Sequence, residues 1–361
     1  MKILFLCKRR PQGRDLLTRP YGRFFYLPHE LSLKGHESYL LLLNYRSEPV
    51  EFMKSQGITW ISENIAPFSP LQYYTRACKL IESVKPDWIV GFSDTYFGIL
   101  ADHLGRKFGV KSLIDAYDNY ESYLPWCTPL HFLWRRAVSH ATAVTAAGPQ
   151  LAELLQQSRS GKPVFIVPMA ADIPTFMPLD RDTCRHELNL PLEKKIVGYC
   201  GSIYRNRGIQ ALFDAHEILK KTDRNIDLIL TGRKEKSIPL PSWVKWLGYL
   251  DDDKISVFLN SLDAAAVINR ISRFGNYSYP VKLYEAMRCQ IPVIATDTPP
   301  ANWILKSDDR FLARPDDPHD LAETIRKALT LDRVDYGEQN NWGQSCQAFE
   351  EVLLQLNPID I

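Results

Sequence analysis

The chain reads as an α/β protein of two doubly wound domains facing a common cleft, and three observations carry that reading. Short buried-strand patterns alternate with helical periodicities from the first residues onward, the order expected of a parallel sheet covered by helices on both faces. The alternation breaks once, in a stretch rich in proline and aspartate near 168–190, and then restarts. A length of 361 residues with 45% hydrophobic content is enough for two separate cores.

In the first half, ILFLC at 3–7 is a short apolar run with the length of a buried strand, and helical spacing follows near 22–35. YLLLL at 39–43, a helix near 70–84, DWIVGF at 87–92 and a helix near 97–108 continue the pattern. SLIDA at 112–116, ATAVTAA at 141–147, a helix at 149–157 and VFIVP at 164–168 complete it. Prolines 168, 174 and 178 then stand among Asp172, Asp180 and Asp182, marking a linker. The second half restarts with IVGYC at 196–200, a helix at 208–221, DLILTG at 227–232 and VKWLGYL at 244–250. A helix at 252–261, AAAVI at 264–268, a helix at 280–289, PVIATD at 292–297 and helices near 318–330 and 340–355 follow. The boundaries are therefore 1–172, 173–340 and a terminal segment 341–361. In such sheets ligands bind beyond the carboxyl ends of the strands, so the loops after the strands are where chemistry is expected.

Composition removes several function classes. A formal net charge of +2 is too balanced for a protein that coats nucleic acid by bulk electrostatics, so no nucleic-acid partner is expected. The seven cysteines are an odd number with no CxxC pair and no histidine cluster beside them, which argues against a disulfide framework or structural zinc and for a reducing compartment. The apolar run at the N-terminus precedes Lys8-Arg9-Arg10, the reverse of a signal peptide's order, and no run reaches the roughly 18 apolar residues of a transmembrane helix. A cytoplasmic protein is expected, with peripheral contact at the inner face of the membrane as an open addition. Tyr123-Leu124-Pro125-Trp126 and Phe132-Leu133-Trp134-Arg135-Arg136 bear on that addition. They mix aromatics with arginines as interfacial anchors do, or as a core with a charged rim does.

The most informative stretch runs from Ser278 through Tyr279, Pro280, Val281, Lys282, Leu283 and Tyr284 to Glu285. Pro280 suits the first position of a helix. Lys282 then falls in the first turn, where the macrodipole disfavours a cation. Either an anion docks at that helix start, where free N–H groups favour phosphate, or Lys282 points into solvent. Glu285 is three residues on, on the same helical face. It either accepts both hydroxyls of a ribose or is an ordinary surface glutamate.

This segment resembles the donor-binding signature of glycosyltransferase family 4, retaining enzymes of the GT-B fold, whose two domains are Rossmann-like. Pro28 to Glu37 is similar to the family's first helix and its Gly-His-Glu exit, here Gly35-His36-Glu37. Pro86 to Val90, His140 to Ala146 and Val167 to Asp172 resemble its next buried strand, a later strand and the interdomain linker. Gly198 to Gly208 resembles the turn that opens the donor domain. The resemblance implies a nucleotide-sugar donor, UDP- or GDP-linked, bound in the second domain, and a glycan or lipid-linked acceptor bound in the first. It implies transfer of a hexose with retention, in polysaccharide biosynthesis, without a metal or other cofactor. The terminal helix, from Asn341, would pack back toward the first domain.

On the same basis Arg205 and Arg207 would hold the diphosphate beside Gly201 and Ser202, with the helix start at Val281, Lys282 and Leu283, while Glu285 fixes the ribose. Bidentate arginine bonding suits that task; two exposed loop arginines are the plain alternative. Tyr277 and Tyr279 would line the sugar side, and backbone near Trp246 to Tyr249 would set the choice of base. Two positions depart from the pattern. The first glutamate of the family's acidic pair falls on Tyr277, and a histidine frequent after an acceptor-domain strand falls on Tyr117.

In the first domain, Lys8, Arg9, Arg10, Arg14, Arg19 and Arg23 form a basic loop expected to face the cleft and draw acidic acceptors, with Gly13 allowing close approach to donor phosphate or sugar. Asp118, just past a buried strand, either contacts a substrate hydroxyl or caps the next helix. Asp251-Asp252-Asp253 reads as helix capping rather than a metal site. The departures at Tyr277 and Tyr117 keep a second function open: a catalytically inactive subunit that binds a nucleotide-sugar or a partner enzyme.

Overall fold

The structure, a computed structural model, describes residues 1–46, 48–65 and 70–356. The chain divides into two compact units, one of residues 1–169 with 342–361 and one of residues 170–341.

The first unit alternates strand and helix: β1 (Lys2–Lys8), α1 (Arg23–Leu33), β2 (Glu37–Asn44), β3 (Glu51–Ser55), β4 (Ile58–Asn64), α2 (Pro70–Val84), β5 (Trp88–Gly91), α3 (Thr95–Phe108), β6 (Lys111–Ala116), α4 (Thr128–His140), β7 (Ala143–Ala146), α5 (Pro149–Gln156) and β8 (Phe165–Ile166). The strands form one eight-stranded sheet in the order β3-β4-β2-β1-β5-β6-β7-β8, parallel except for the β3–β4 pair. The middle strands are apolar on both faces, so β1 is fully buried from Ile3 to Cys7, as a sheet covered on both sides demands. The β3–β4 hairpin has no counterpart in the strand pattern read from the sequence. Gln56 and Gly57 turn it with φ of 53° and 77°, the paired positive values of a two-residue hairpin. β3 alternates half-buried with exposed residues at the sheet edge, a weak signal in sequence.

The second unit contains α6 (Arg181–Glu187), β9 (Lys195–Cys200), α7 (Ile209–Thr222), β10 (Ile226–Thr231), β11 (Val244–Trp246), α8 (Asp252–Asn260), β12 (Ala264–Val267), α9 (Val281–Arg288), β13 (Val293–Thr296), α10 (Pro299–Ile304), β14 (Leu312–Ala313) and α11 (Pro318–Ala328). Its six strands are all parallel, in the order β11-β10-β9-β12-β13-β14. In both sheets the first strand of the unit lies between neighbours that wind away on either side, so each has its topological switch point at that strand.

The stretch expected to be a linker folds further than its prolines suggest. Asp180 caps α6 by accepting from the Thr183 N–H at 2.8 Å. Arg185 is buried, donating to Ser261 O at 2.9 Å and to Asp263 at 2.6 Å. A buried, fully paired arginine ties this helix into the second unit. Asp251 occupies the N-cap position of α8 without a side-chain capping bond, and Asp252 and Asp253 stand in its first turn.

The last helix, α12 (Trp342–Gln355), is part of the first unit. Trp342 stacks on Tyr26 of α1 with ring centroids 5.3 Å apart. Glu350 accepts from Lys34 at 2.5 Å and lies 2.7 Å from His36 Nε2, and Ser345 donates to Pro168 O at 2.9 Å.

Candidate functional site

In the second unit the loops beyond β9 and β12, at the switch point, bring the sequence-selected residues together. From β9 the chain passes Gly201 and Ser202 into a 3-10 turn, Arg205–Arg207, and then Gly208 with φ +80° starts α7. Only glycine adopts that left-handed conformation without strain, so the turn can deliver its arginines directly at a helix start. The neighbouring strand end presses close: the Gly201 N–H donates to Thr231 O at 3.0 Å. A Cβ on Gly232 would stand 2.0 Å from Gly201 O.

Arg207 is held in place. Its guanidinium donates to Asn269 Oδ1 at 3.1 Å and lies 4.4 Å from the centre of the Phe274 ring. Asn269 is itself fixed, its N–H donating to Thr296 Oγ1 at 2.8 Å while that hydroxyl donates to Asn269 O at 2.7 Å. A planar cation stacked on an aromatic face is a role for arginine and not for lysine. Arg205 is exposed, with its N–H 3.5 Å from Glu235 Oε2. Neither Asn269 nor Phe274 was picked out from the sequence; both lie 62 or more residues from Arg207, and no local pattern marks them.

At α9 Pro280 is the N-cap, with φ −73° and ψ 111°, one position earlier than its expected place inside the helix. The Leu283 N–H donates back to Pro280 O at 3.0 Å. Lys282 does not point alone into solvent, since its Nζ is 2.5 Å from Glu285 Oε2. That i,i+3 pair offsets the unfavourable position of the lysine at the helix start. Glu285 is only 8% exposed, so it is not an ordinary surface glutamate. The pair also reaches the end of β9: burial pushes the Cys200 thiol up, while Lys282 pulls it down and Glu285 adds to the rise. Tyr277 ends a short 3-10 turn and is half-buried. Tyr279 is buried, edge-on to Trp303 at 5.7 Å. Trp246 and Tyr249 are exposed, and Trp246 Nε1 donates to Gly232 O at 3.1 Å.

In the first unit the basic loop is a correction. Lys8 pairs with Asp94 at 2.7 Å, Arg9 with Asp15 and Glu51 at 3.0 Å, and Arg10 with Asp15 at 2.5 Å and Glu48 at 2.6 Å. Arg23 is buried in a bidentate pair with Asp115 at 2.8 and 2.7 Å. Arg14 lies over the Tyr21 ring at 3.9 Å. Lys8, Arg9, Arg10 and Arg23 are thus compensated by acids, Asp15 from the loop itself and Asp94, Glu48, Glu51 and Asp115 from elsewhere in the unit, so these four are not free cations for acceptors. Gly13 is exposed with φ +77° at the end of a 3-10 turn.

Asp118 follows β6 and is buried, accepting from the Tyr123 hydroxyl at 2.7 Å. It does not cap the next turn, which starts from Asn119. Tyr117 is wedged edge-on to Phe24 and Tyr120, at 5.3 and 5.5 Å. Burial pushes its phenol well up, with Asp118 adding to the rise, so the hydroxyl stays protonated at neutral pH. Ser93, beside the switch point of this sheet, holds φ +74° and accepts from the Lys8 N–H at 3.3 Å. Such backbone strain in a non-glycine residue costs of order 1–3 kcal/mol, and no sequence pattern announced it.

Family comparison agrees with this division. A model of the glycosyl transferase 4-like domain matches residues 26–170, and one of glycosyl transferases group 1 matches residues 194–331. The chain belongs to these glycosyl transferases. TuaC of Bacillus subtilis, whose name places it in teichuronic acid biosynthesis, is 23% identical over 198 residues, 54% of this chain and 48% of that protein. The chain spans about half the length of the curated relatives it matches. Among solved structures, sucrose-phosphate synthase from Thermosynechococcus elongatus aligns with a TM-score of 0.74 at 17% identity, over 99% of this chain and 97% of that one. HepE of Anabaena in complex with UDP-glucose aligns with a TM-score of 0.70 at 16% identity, over 99% and 97%. The shared fold is that of GT-B glycosyl transferases, two parallel-sheet domains in one chain. In this glycosyl transferase the match to group 1 covers Arg205, Arg207 and Glu285, and the match to the 4-like domain covers Asp118.

Proposed function

We propose that this glycosyl transferase moves a hexose, with retention, from a UDP- or GDP-linked sugar to a glycan or lipid-linked acceptor in polysaccharide biosynthesis. The observation that carries the reading is a fixed cation and a buried carboxylate on either side of the end of β9: Arg207 on its Asn269–Phe274 shelf, and Glu285, one turn inside α9, whose charge acts on Cys200. A nucleoside diphosphate presents a ribose diol and two phosphates, and these groups suit that pair of partners.

In this reading Arg205, Arg207 and the N–H groups of Val281 to Leu283 stabilise the negative charge that develops on the leaving diphosphate, which is where electrostatic catalysis has most effect. Glu285 accepts from the ribose hydroxyls. Gly201 and Ser202 bring backbone close to the phosphates, and Asp118 orients a hydroxyl of the acceptor. No metal or cofactor takes part. The UDP-glucose complex of HepE supports the choice of a nucleotide-sugar donor.

The test is release of free nucleotide from UDP-, GDP- and dTDP-sugars by wild type and Glu285→Ala. Slow release from one donor, lost in the variant, is expected. If no donor is cleaved and no nucleotide raises the melting temperature, the donor site is wrongly assigned. Tyr277 favours one other reading, an inactive nucleotide-sugar-binding subunit, since a phenol replaces the first acid of the family's pair. Nucleotide binding without turnover across a panel of acceptors would select it.

A further inference from the structure

The segment that follows Asp118 leaves apolar surface in water. Trp126 is 76% exposed, Phe132 65% and Leu133 46%. On α4, Pro129, Phe132, Leu133 and Arg136 recur at i, i+3, i+4 and i+7 and are all exposed, so they share one face. The opposite face is also apolar: Trp134, Ala137 and Val138 are buried. This surface helix is apolar on two sides, and one of its faces has no partner among the described residues.

The loop before α4 is not loose. The Cys127 N–H donates to Leu124 O at 3.0 Å, the Thr128 N–H to Trp126 O at 3.1 Å, and His131 Nε2 bonds the same Leu124 carbonyl at 3.0 Å. Trp126 is therefore presented from a folded turn at the helix start. The chemistry of the surface is one-sided as well. From Ser122 to His140 there is no aspartate or glutamate, while Arg135 and Arg136 close the face. Arg135 is bonded to Glu121 at 2.7 and 2.6 Å, leaving Arg136 as the outward charge.

We infer that this face docks on a lipid bilayer bearing anionic headgroups, with Trp126, Phe132 and Leu133 entering the headgroup–acyl boundary and Arg136 meeting the phosphates. Tryptophan and phenylalanine beside arginine, with no acid among them, match such a surface in polarity and in charge. Tyr123 connects the face to the site, since its hydroxyl is bonded to Asp118 at 2.7 Å. Resting on the transferase reading above, the docked face selects a lipid-linked acceptor over a soluble glycan, because it brings Asp118 to the plane in which a lipid-borne hydroxyl lies.

The test is co-sedimentation of the full chain with vesicles of phosphatidylglycerol and phosphatidylcholine, and with phosphatidylcholine alone. Wild type partitions to the anionic vesicles, and Trp126→Ser/Phe132→Ser loses that partition by about tenfold or more. Arg136→Gln weakens binding to anionic vesicles and leaves the residual binding to neutral ones unchanged. Melting temperature and nucleotide binding stay at the wild-type level in both variants, since the substituted side chains stand in solvent. Equal sedimentation of wild type and the double variant overturns the inference. So does a wild-type dimer in solution that the double variant converts to monomer, which assigns the face to a second copy. Vesicle binding with no donor turnover leaves the docking intact and defeats the transferase reading instead. Turnover with equal rates on soluble and vesicle-borne acceptors defeats the choice of acceptor.

Discussion

Replacing Arg23 by leucine separates a structural role from a ligand-binding one. The Asp115 carboxylate is fully buried and accepts three bonds, two from Arg23 at 2.8 and 2.7 Å and one from Thr145 Oγ1 at 2.6 Å. Arg23 also donates to Val167 O at 3.1 Å, so one guanidinium joins α1, β6 and the chain leaving β8. Removing one partner of such a pair strands a buried charge, at a cost of about 3–5 kcal/mol. In a unit of about 190 residues, each kcal/mol moves the midpoint by roughly 2–4 °C. Arg23→Leu should therefore lower the melting temperature of the first unit by roughly 6–20 °C. Arg23→Leu/Asp115→Leu should recover more than half of the loss, because an apolar pair leaves no unpaired charge behind. Calorimetry of the two variants and wild type is the assay. A shift below about 2 °C combined with weaker acceptor use would refute the argument and restore Arg23 to the ligand-binding loop.

Three further outcomes follow from other contacts. His216 is buried, stacked on Trp243 at 4.6 Å with Nε2 bonded to Ile226 O, and burial lowers its pKa from 6.5 to about 4. The unfolded chain takes the proton first, so this contribution is complete above pH 6.5 and is lost as pH falls toward 4, by roughly 3 kcal/mol; urea titrations across that range should show His216→Gln lacking that part of the slope. Gly232→Ala forces a Cβ to 2.0 Å from Gly201 O at φ +127°, so the loop beside Ser202 must shift at a cost of roughly 1–3 kcal/mol, read as a lower melting temperature and weaker UDP or GDP binding by calorimetric titration. Trp342→Ala removes a buried ring from Tyr26 and should cost about 3–5 kcal/mol, seen as faster hydrogen exchange in α1 and α12 while the second unit is unchanged.

What was legible in the sequence was what is local. The buried parallel strands are apolar on both faces, so β1, β2, β9 and β10 appear as unbroken runs. Glu285 and Lys282 could be found because their helix, their spacing and the proline before them lie within six residues. The β3–β4 hairpin escaped because a short edge strand with alternating exposure has little apolar signal. α6 escaped because aspartates and prolines around it resemble a linker, while the bonds that fix it run from Arg185 to residues 76 and 78 positions away.

The same distinction explains the two arginine loops, which look alike as sequence and differ as structure. After β1, Arg9, Arg10 and Arg23 meet acids from three places: Asp15 in the loop itself, Glu48 and Glu51 near β3, and Asp115 at the end of β6. After β9 the partner of Arg207 is instead a neutral amide and a ring, Asn269 and Phe274, which orient the guanidinium without cancelling its charge. A phosphate is attracted by charge that is oriented and uncompensated, and an acid already in place removes that attraction. Counting basic residues therefore pointed to both loops, whereas the identity of their distant partners points to the second. Phe274→Leu tests this: with the shelf gone, Arg207 and Arg207→Lys should bind UDP or GDP about equally, whereas with Phe274 present the lysine should be weaker by about tenfold, the effect of roughly 1.4 kcal/mol. If lysine is equally weak in both backgrounds, the ring contributes nothing to the arginine's advantage, and the argument from partners fails at its central pair.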